Sequence, residues 1–286
     1  MVFKKAKKIN YVINLEGKQE PFSFHKVYRS ARRVGASRIL ANQIAQSIAQ
    51  DLYSGIRTVD IFERVKKELS KEEPRAALKF DLKNSLKRLG PSGFPFEKYV
   101  GAILEKRGFK VQLNQFVPGH CCSYEIDFIA KKDDILYIGE CKYRNNPGER
   151  IHLDIALANY ARFLDIQNGN FFKKLNKKIK VQSLLVTNTK LTTQAINYSN
   201  CVGVKCLGWN YPRNSGLENI IDAQKLYPVT ILPSLNNHII EIFNAKNIIL
   251  AEDVLKIDIE KFSKQTKTPI NQLEALVEEA KILLEK

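Results

Sequence analysis

Residues 123–144 read SYEIDFIAKKDDILYIGECKYR, two runs of alternating apolar and charged residues parted by a polar turn at 131–134. Successive side chains of a strand point to opposite faces, so residues two apart share one. In the first run Glu125 and Asp127 share a face, while Ile126 and Phe128 take the other. In the second, Glu140 and Lys142 share a face and Cys141 opposes them. The short turn pairs the runs as a hairpin, which brings Asp127 toward Glu140 across the ladder. Two carboxylates so placed repel one another unless a cation neutralises them. Mg2+ suits the position, because it takes oxygen ligands and keeps several waters for substrate phosphates. A lysine beside them can position water or stabilise charge growing on phosphorus. Asp127 and Glu140 are therefore the expected metal ligands, Lys142 is the expected catalytic cation, and the set fits metal-assisted phosphodiester hydrolysis.

The flanking text supports a larger unit. Upstream, FPFEKYVGAILEKRGF predicts an amphipathic helix with Phe96, Val100, Ile103 and Leu104 on one face and Glu97 near its start. VQLNQF is a further strand-like run before the hairpin. Downstream come a helix over 151–167, a buried strand in VQSLLVTNT, a helix in TTQAINYSN and a strand in VGVKCLGW. This α-β-β-β-α-β order implies a mixed sheet flanked by helices, in the α/β (α+β) class. The text from Trp209 to Leu232 is interrupted by Pro212, Gly216 and Pro228 and is read as irregular.

Asp127, the Glu140-Cys141-Lys142 triplet and the closing strand-helix-strand text resemble the PD-(D/E)xK nuclease superfamily, in particular the Mrr-like restriction endonucleases, over about 91–230. That resemblance implies a restriction-endonuclease-like fold, DNA as substrate, Mg2+ as cofactor and restriction of foreign DNA as the setting. It also makes Glu97 the acidic residue that completes such sites. Position 126, before Asp127, is Ile where the motif has Pro, and Glu125 is either an extra ligand or a bystander. One site per chain acting on two strands favours a homodimer. The alternative is a catalytically inactive, nucleotide-responsive DNA-binding regulator.

Other candidates in this region carry weaker expectations. Cys141, facing away from the acids, is read as a packed thiol, and His120 beside Cys121-Cys122 as a loop residue. Ser92 is read as a turn residue. Tyr143 and Arg144 either contact phosphate or are solvated, and the same two readings hold for the lysines at 173, 174, 177, 178 and 180.

Toward the N-terminus, YVINLEGKQEPFSF predicts two strands about a Glu16-Gly17 turn. Helices are expected over Lys26 to Val34, Ser37 to Ser54, Thr58 to Leu69 and about Glu73 to Leu89, with Ser37 and Thr58 as N-caps and Gly55 as a stop. Residues 10–90 resemble the ATP-cone, a nucleotide-binding module best known from ribonucleotide reductases. The resemblance places Glu20, Lys26 and Thr58 at nucleotide-contacting positions and implies ATP or dATP as a regulatory ligand. Asn14 and Leu15 stand where the family's first strand carries a Lys-Arg pair; Lys18 or the N-terminal lysines are the substitutes.

Residues 231–286 are read as four short helices: His238 to Phe243, Ala251 to Leu255, Ile259 to Gln265 and Ile270 to Leu284. Their spacing is similar to a helix-hairpin-helix unit, but Lys267-Thr268-Pro269 supplies no glycine at the turn, so a packing or dimerisation unit is the preferred reading. The expected domains are thus 1–90, 91–230 and 231–286. Gly90-Pro91-Ser92-Gly93 marks the first boundary.

Composition agrees with these assignments. The 286 residues are 44% hydrophobic and 27% charged, which excludes a disordered chain. A net charge of +16 points to an anionic partner, and it resides in the first two parts, at +11 and +7, against −2 in the third. No apolar run is long enough to cross a membrane, so no membrane partner is expected. Five cysteines at irregular spacing exclude a secreted disulfide framework. MVFKKAKKINYVINLEG lacks the apolar core of a signal peptide. A cytoplasmic location is expected.

Overall fold

The computed structural model describes residues 10–90, 96–146, 148–175 and 178–285, with Lys174 by its backbone alone. The candidate turn residue Ser92, Lys177 and the lysines before residue 10 lie outside the described residues. The chain divides into two compact units between Leu82 and Lys83.

In the first unit, β1 (Tyr11–Ile13) pairs antiparallel with β2 (Gln19–Pro21) around Gly17, whose φ of 77° suits glycine. A two-residue strand, β3 (Ile56–Arg57), adds parallel to the other side of β1. The helices α1 (Phe24–Arg33), α2 (Arg38–Gln50), α3 (Thr58–Glu72) and α4 (Pro74–Phe80) surround a core that includes Ala31, Ile44, Ile48, Ile56, Val65 and Leu69. The Ser23 and Ser37 hydroxyls cap α1 and α2 by accepting the Lys26 and Leu40 N–H groups. Thr58 is the first residue of α3 and Arg57 stands at its cap, so the expected Thr58 cap is not made. Helix α2 ends at Asp51 before reaching Gly55, because Gly55, at φ 93°, turns the chain into β3. The expected helix from Glu73 to Leu89 is broken at Asp81, whose carboxylate pairs with Lys66 at 2.7 Å; α5 (Leu82–Lys87) follows.

The second unit is built on the expected sheet. Helix α6 (Phe96–Lys106) precedes β4 (Lys110–Pro118), β5 (Ser123–Lys132) and β6 (Ile135–Lys142). Next come β7 (Arg150–Ile151), α7 (Leu153–Asn168), β8 (Lys180–Thr187), β9 (Lys190–Leu191), α8 (Thr193–Val202) and β10 (Lys205–Leu207). The five-stranded order is β10-β8-β6-β5-β4, with β4, β5 and β6 antiparallel and β6, β8 and β10 parallel. The fold is α+β, a mixed sheet flanked by helices. Strands β7 and β9 form a separate parallel pair that two residues each could not announce in sequence. LENIIDAQ, expected to be irregular, is α9 (Leu217–Gln224): Leu217 and Ile221 bury one face between the surrounding glycine and prolines.

The C-terminal helices are α10 (Asn237–Ala245), α11 (Ala251–Val254), α12 (Ile259–Thr266) and α13 (Ile270–Leu284). They lie in the second unit, so the contacts do not make the expected divisions at 90/91 and 230/231. The reason is a set of ties across both points. Arg88 donates to the carbonyls of Thr230 at 3.0 Å and Leu235 at 2.6 Å. Lys98 on α6 donates to Asn244 on α10. The turn between α12 and α13 places Lys267 at φ 57°, a conformation reached without the glycine expected of a DNA-binding hairpin. Among the described residues no helix is long and apolar enough to cross a membrane.

Candidate functional site

The hairpin expectation rests on one register. Strand β5 pairs with β6 from Lys132 opposite Ile135 to Phe128 opposite Gly139. Buried Phe128 lies over Gly139, where a β-carbon would come within 2.0 Å of the ring. Beyond that pair the Asp127 side chain takes over from the ladder: its Oδ2 accepts the Cys141 N–H at 2.6 Å. Asp127 is thereby fixed beside the end of β6. Its other oxygen has no hydrogen-bond donor among the described residues.

Glu140 is 4% exposed, and each of its oxygens meets a cation. Lys142 Nζ lies 2.5 Å from Oε1, and Arg162 of α7 donates to Oε2. The chain after Lys142 is locked in place. Thr187 donates its hydroxyl to the Lys142 carbonyl at 2.6 Å, and Asn188 exchanges hydrogen bonds with the Arg144 backbone N–H and carbonyl, each at 2.8 Å. Glu97 is half-buried in the first turn of α6, with no hydrogen bond or ion pair among the described residues.

Burial pushes the Asp127 carboxyl up to about 6, helped by the nearby charges of Glu140 and Glu97 and opposed by the Cys141 N–H and Lys142. A buried carboxylate beside two others is a place where added positive charge is favourable. The donor set fits Mg2+, which is commonly held by one or two carboxylates and completes its shell with water and phosphate. Asp127 and Glu140 would be the two. Among the described residues no cluster of three or more His, Cys, Asp or Glu is poised around one point, so Glu97 stands near the pair without joining it.

Other sequence candidates fall away from this chemistry. Glu125 is exposed on the strand. Cys141 is buried, and that burial raises its thiol far above the usual range, as a packed thiol requires. Tyr143 is a structural tie, its hydroxyl donating to the Lys87 carbonyl. The Arg144 guanidinium turns back to the Tyr143 carbonyl. Residues His120, Cys121 and Cys122 form a turn held by Asp165, whose backbone carbonyl accepts the His120 N–H and whose carboxylate accepts the Cys121 and Cys122 N–H groups. Lys178 and Lys180 are exposed.

Arg162 carried no expectation from the sequence. Its signal lies in the inward stripe of α7, where Ala156 and Ile166 bracket two polar positions. Asn159 donates to Ser183 on β8 at 2.8 Å, and Arg162, one turn on, reaches Glu140.

The first unit holds a separate cavity of about 230 Å³ that brings together Glu20, Lys26 and Thr58 with Phe22, Ser23 and Phe62. Glu20 accepts from Asn14 Nδ2 at 2.8 Å and pairs with Lys26 Nζ at 3.2 Å, and these contacts lower its carboxyl below the usual value. Asn14 therefore fixes Glu20 and offers no charge.

No family model matches the sequence. An uncharacterized protein of Archaeoglobus fulgidus is 32% identical over 184 residues, which is 64% of this chain and 99% of the relative. A crystal structure of a protein of unknown function, AF1548, aligns with a TM-score of 0.55 at 31% identity, covering 65% of this chain and 96% of that one.

Proposed function

We propose a function for this chain, which belongs to the family of the uncharacterized Archaeoglobus fulgidus protein: it is a divalent-metal-dependent DNA endonuclease. The observation that carries the reading is the convergence of Asp127, Glu140 and Lys142 at the end of β6, with the Glu97 charge acting on Asp127. This is the arrangement that resemblance to PD-(D/E)xK nucleases leads one to expect.

Asp127 and Glu140 would hold Mg2+. When bound, the cation supplies charge neutralisation at the phosphate oxygens and makes nearby water more acidic. The protein's own groups do the rest. The Asp127 carboxylate, titrating at about 6, is ionised at neutral pH and fixed by the Cys141 N–H. Lys142 presents an ammonium that orients water and stabilises the negative charge growing on phosphorus. A water oxygen attacks phosphorus, one ester P–O bond breaks, and a phosphate monoester and a hydroxyl result. The basic chain, at +16, favours the polyanion as substrate.

Incubation of supercoiled plasmid with Mg2+ tests the reading. Wild-type protein nicks or linearises it, while Asp127→Ala and Lys142→Ala are slowed by at least about a hundredfold, the scale on which electrostatic groups act. Equal cleavage by all three proteins contradicts the assignment. DNA binding without cleavage under any divalent metal establishes the alternative, a catalytically silent DNA-binding regulator.

For the first unit we infer an ATP or dATP site, because its cavity gathers the three positions that an ATP-cone resemblance selects. Lys26 is the cation for phosphate, and Thr58, at the start of the fifteen-residue helix α3, presents backbone N–H groups. Calorimetry with ATP and dATP gives binding heat for wild type and a weaker response for Lys26→Ala. Absence of heat with either nucleotide contradicts the site.

A further inference from the structure

Glu140 holds two cations where one would balance it. Lys142 engages Oε1 and Arg162 engages Oε2, on a carboxylate that is almost wholly buried. Arg162 is also braced from behind. Its guanidinium lies 6.0 Å from the centre of the Tyr124 ring on β5. The guanidinium therefore has an aromatic neighbour besides the Glu140 carboxylate.

Charge counting shows what this arrangement does. With Asp127, Glu140 and Glu97 ionised and Lys142 and Arg162 protonated, the group sums to −1. A divalent cation takes it to +1, and one phosphodiester returns it to zero. Without Arg162 the empty group would stand at −2, a stronger trap for metal. A cation held by Glu140 would meet a carboxylate that Arg162 already engages.

We propose that Arg162 is a positioning residue that competes with the divalent cation for Glu140. It keeps the carboxylate oriented and neutralised when metal is absent, and yields Oε2 when metal enters. Metal affinity is thereby held down, so that metal and phosphodiester load the site together. The inference rests on the proposed metal site and deepens it.

Mn2+ titration by calorimetry at pH 7.5, without DNA, tests the competition directly. Arg162→Met should bind Mn2+ about tenfold more tightly than wild type, from loss of one cation within a few ångströms at partial burial. Arg162→Lys, which keeps the charge, should return to within about threefold of wild type. Arg162→Gln can still donate to Glu140 without the charge, and should also bind more tightly; it decides the matter if the Met variant does not fold. Equal or weaker Mn2+ binding by a folded, uncharged variant overturns the inference and leaves the metal site standing. Failure of wild type to bind Mn2+, or binding unchanged by Asp127→Asn, overturns the metal site and the inference with it.

Discussion

Asp127 is the residue on which the chemistry and the stability of the site meet. Its folded carboxyl titrates at about 6, against 3.8 unperturbed, because burial and the carboxylates of Glu140 and Glu97 disfavour the charge. The folded protein thus holds this proton more tightly than the unfolded chain does. The stability contributed by the proton is full below about pH 4 and is lost as pH rises through about 6. Asp127→Asn, neutral at every pH, should therefore be more stable than wild type at pH 8, by about 1–2 kcal/mol of unfolding free energy after allowance for solvent screening. The gain should shrink toward nothing as pH falls to 4. A constant difference across that range contradicts the origin assigned to the shift. The role of Asp127 was legible because alternation alone places it on the face of Glu140 and Lys142. Arg162 was not legible: it is separated by 22 residues from the carboxylate it holds, and nothing in a helical run states which strand its inward face will meet.

At the level of elements, the hairpin is specified by a contact that alternation does not reveal. Gly139 leaves room for the Phe128 ring, which a β-carbon there would meet at 2.0 Å. Gly139→Ala should cost about 1–3 kcal/mol by overpacking, read as a lower urea midpoint with unchanged slope. Phe128→Leu in the same chain should recover part of the loss, and an unaffected midpoint for Gly139→Ala contradicts this packing. Long periodic segments such as α6 and α13 announced themselves in sequence, since each buries a regular apolar stripe. The misses share a cause in length and punctuation. Strands β3, β7 and β9 have two residues each, too few for a period, and α9 sits between breakers that outweigh its own pattern.

For the whole molecule, charge and domain division were legible to different degrees. Net charge is read from the residues alone, and the +16 predicts DNA binding that weakens steeply with salt. For a Glu140→Gln variant, affinity for a short duplex should fall by about a thousandfold between 50 and 200 mM salt if some six phosphates are contacted. A salt-independent affinity contradicts electrostatic binding. Domain limits depend on ties that punctuation cannot show. The breaker at Gly90 looked like a boundary, yet Arg88 fastens the preceding residues to the carbonyls of Thr230 and Leu235 and carries the C-terminal helices into the second unit.

The central claim is that Asp127, Glu140 and Lys142 hydrolyse a phosphodiester with water. Mass spectrometry of a DNA duplex cleaved with Mg2+ in ¹⁸O-water tests it most directly. Wild-type protein should leave one ¹⁸O on each new terminal phosphate, and Glu140→Gln should leave the duplex intact. An intact duplex with wild type, unlabelled phosphate at the cut, or equal cleavage by the Gln variant would contradict it.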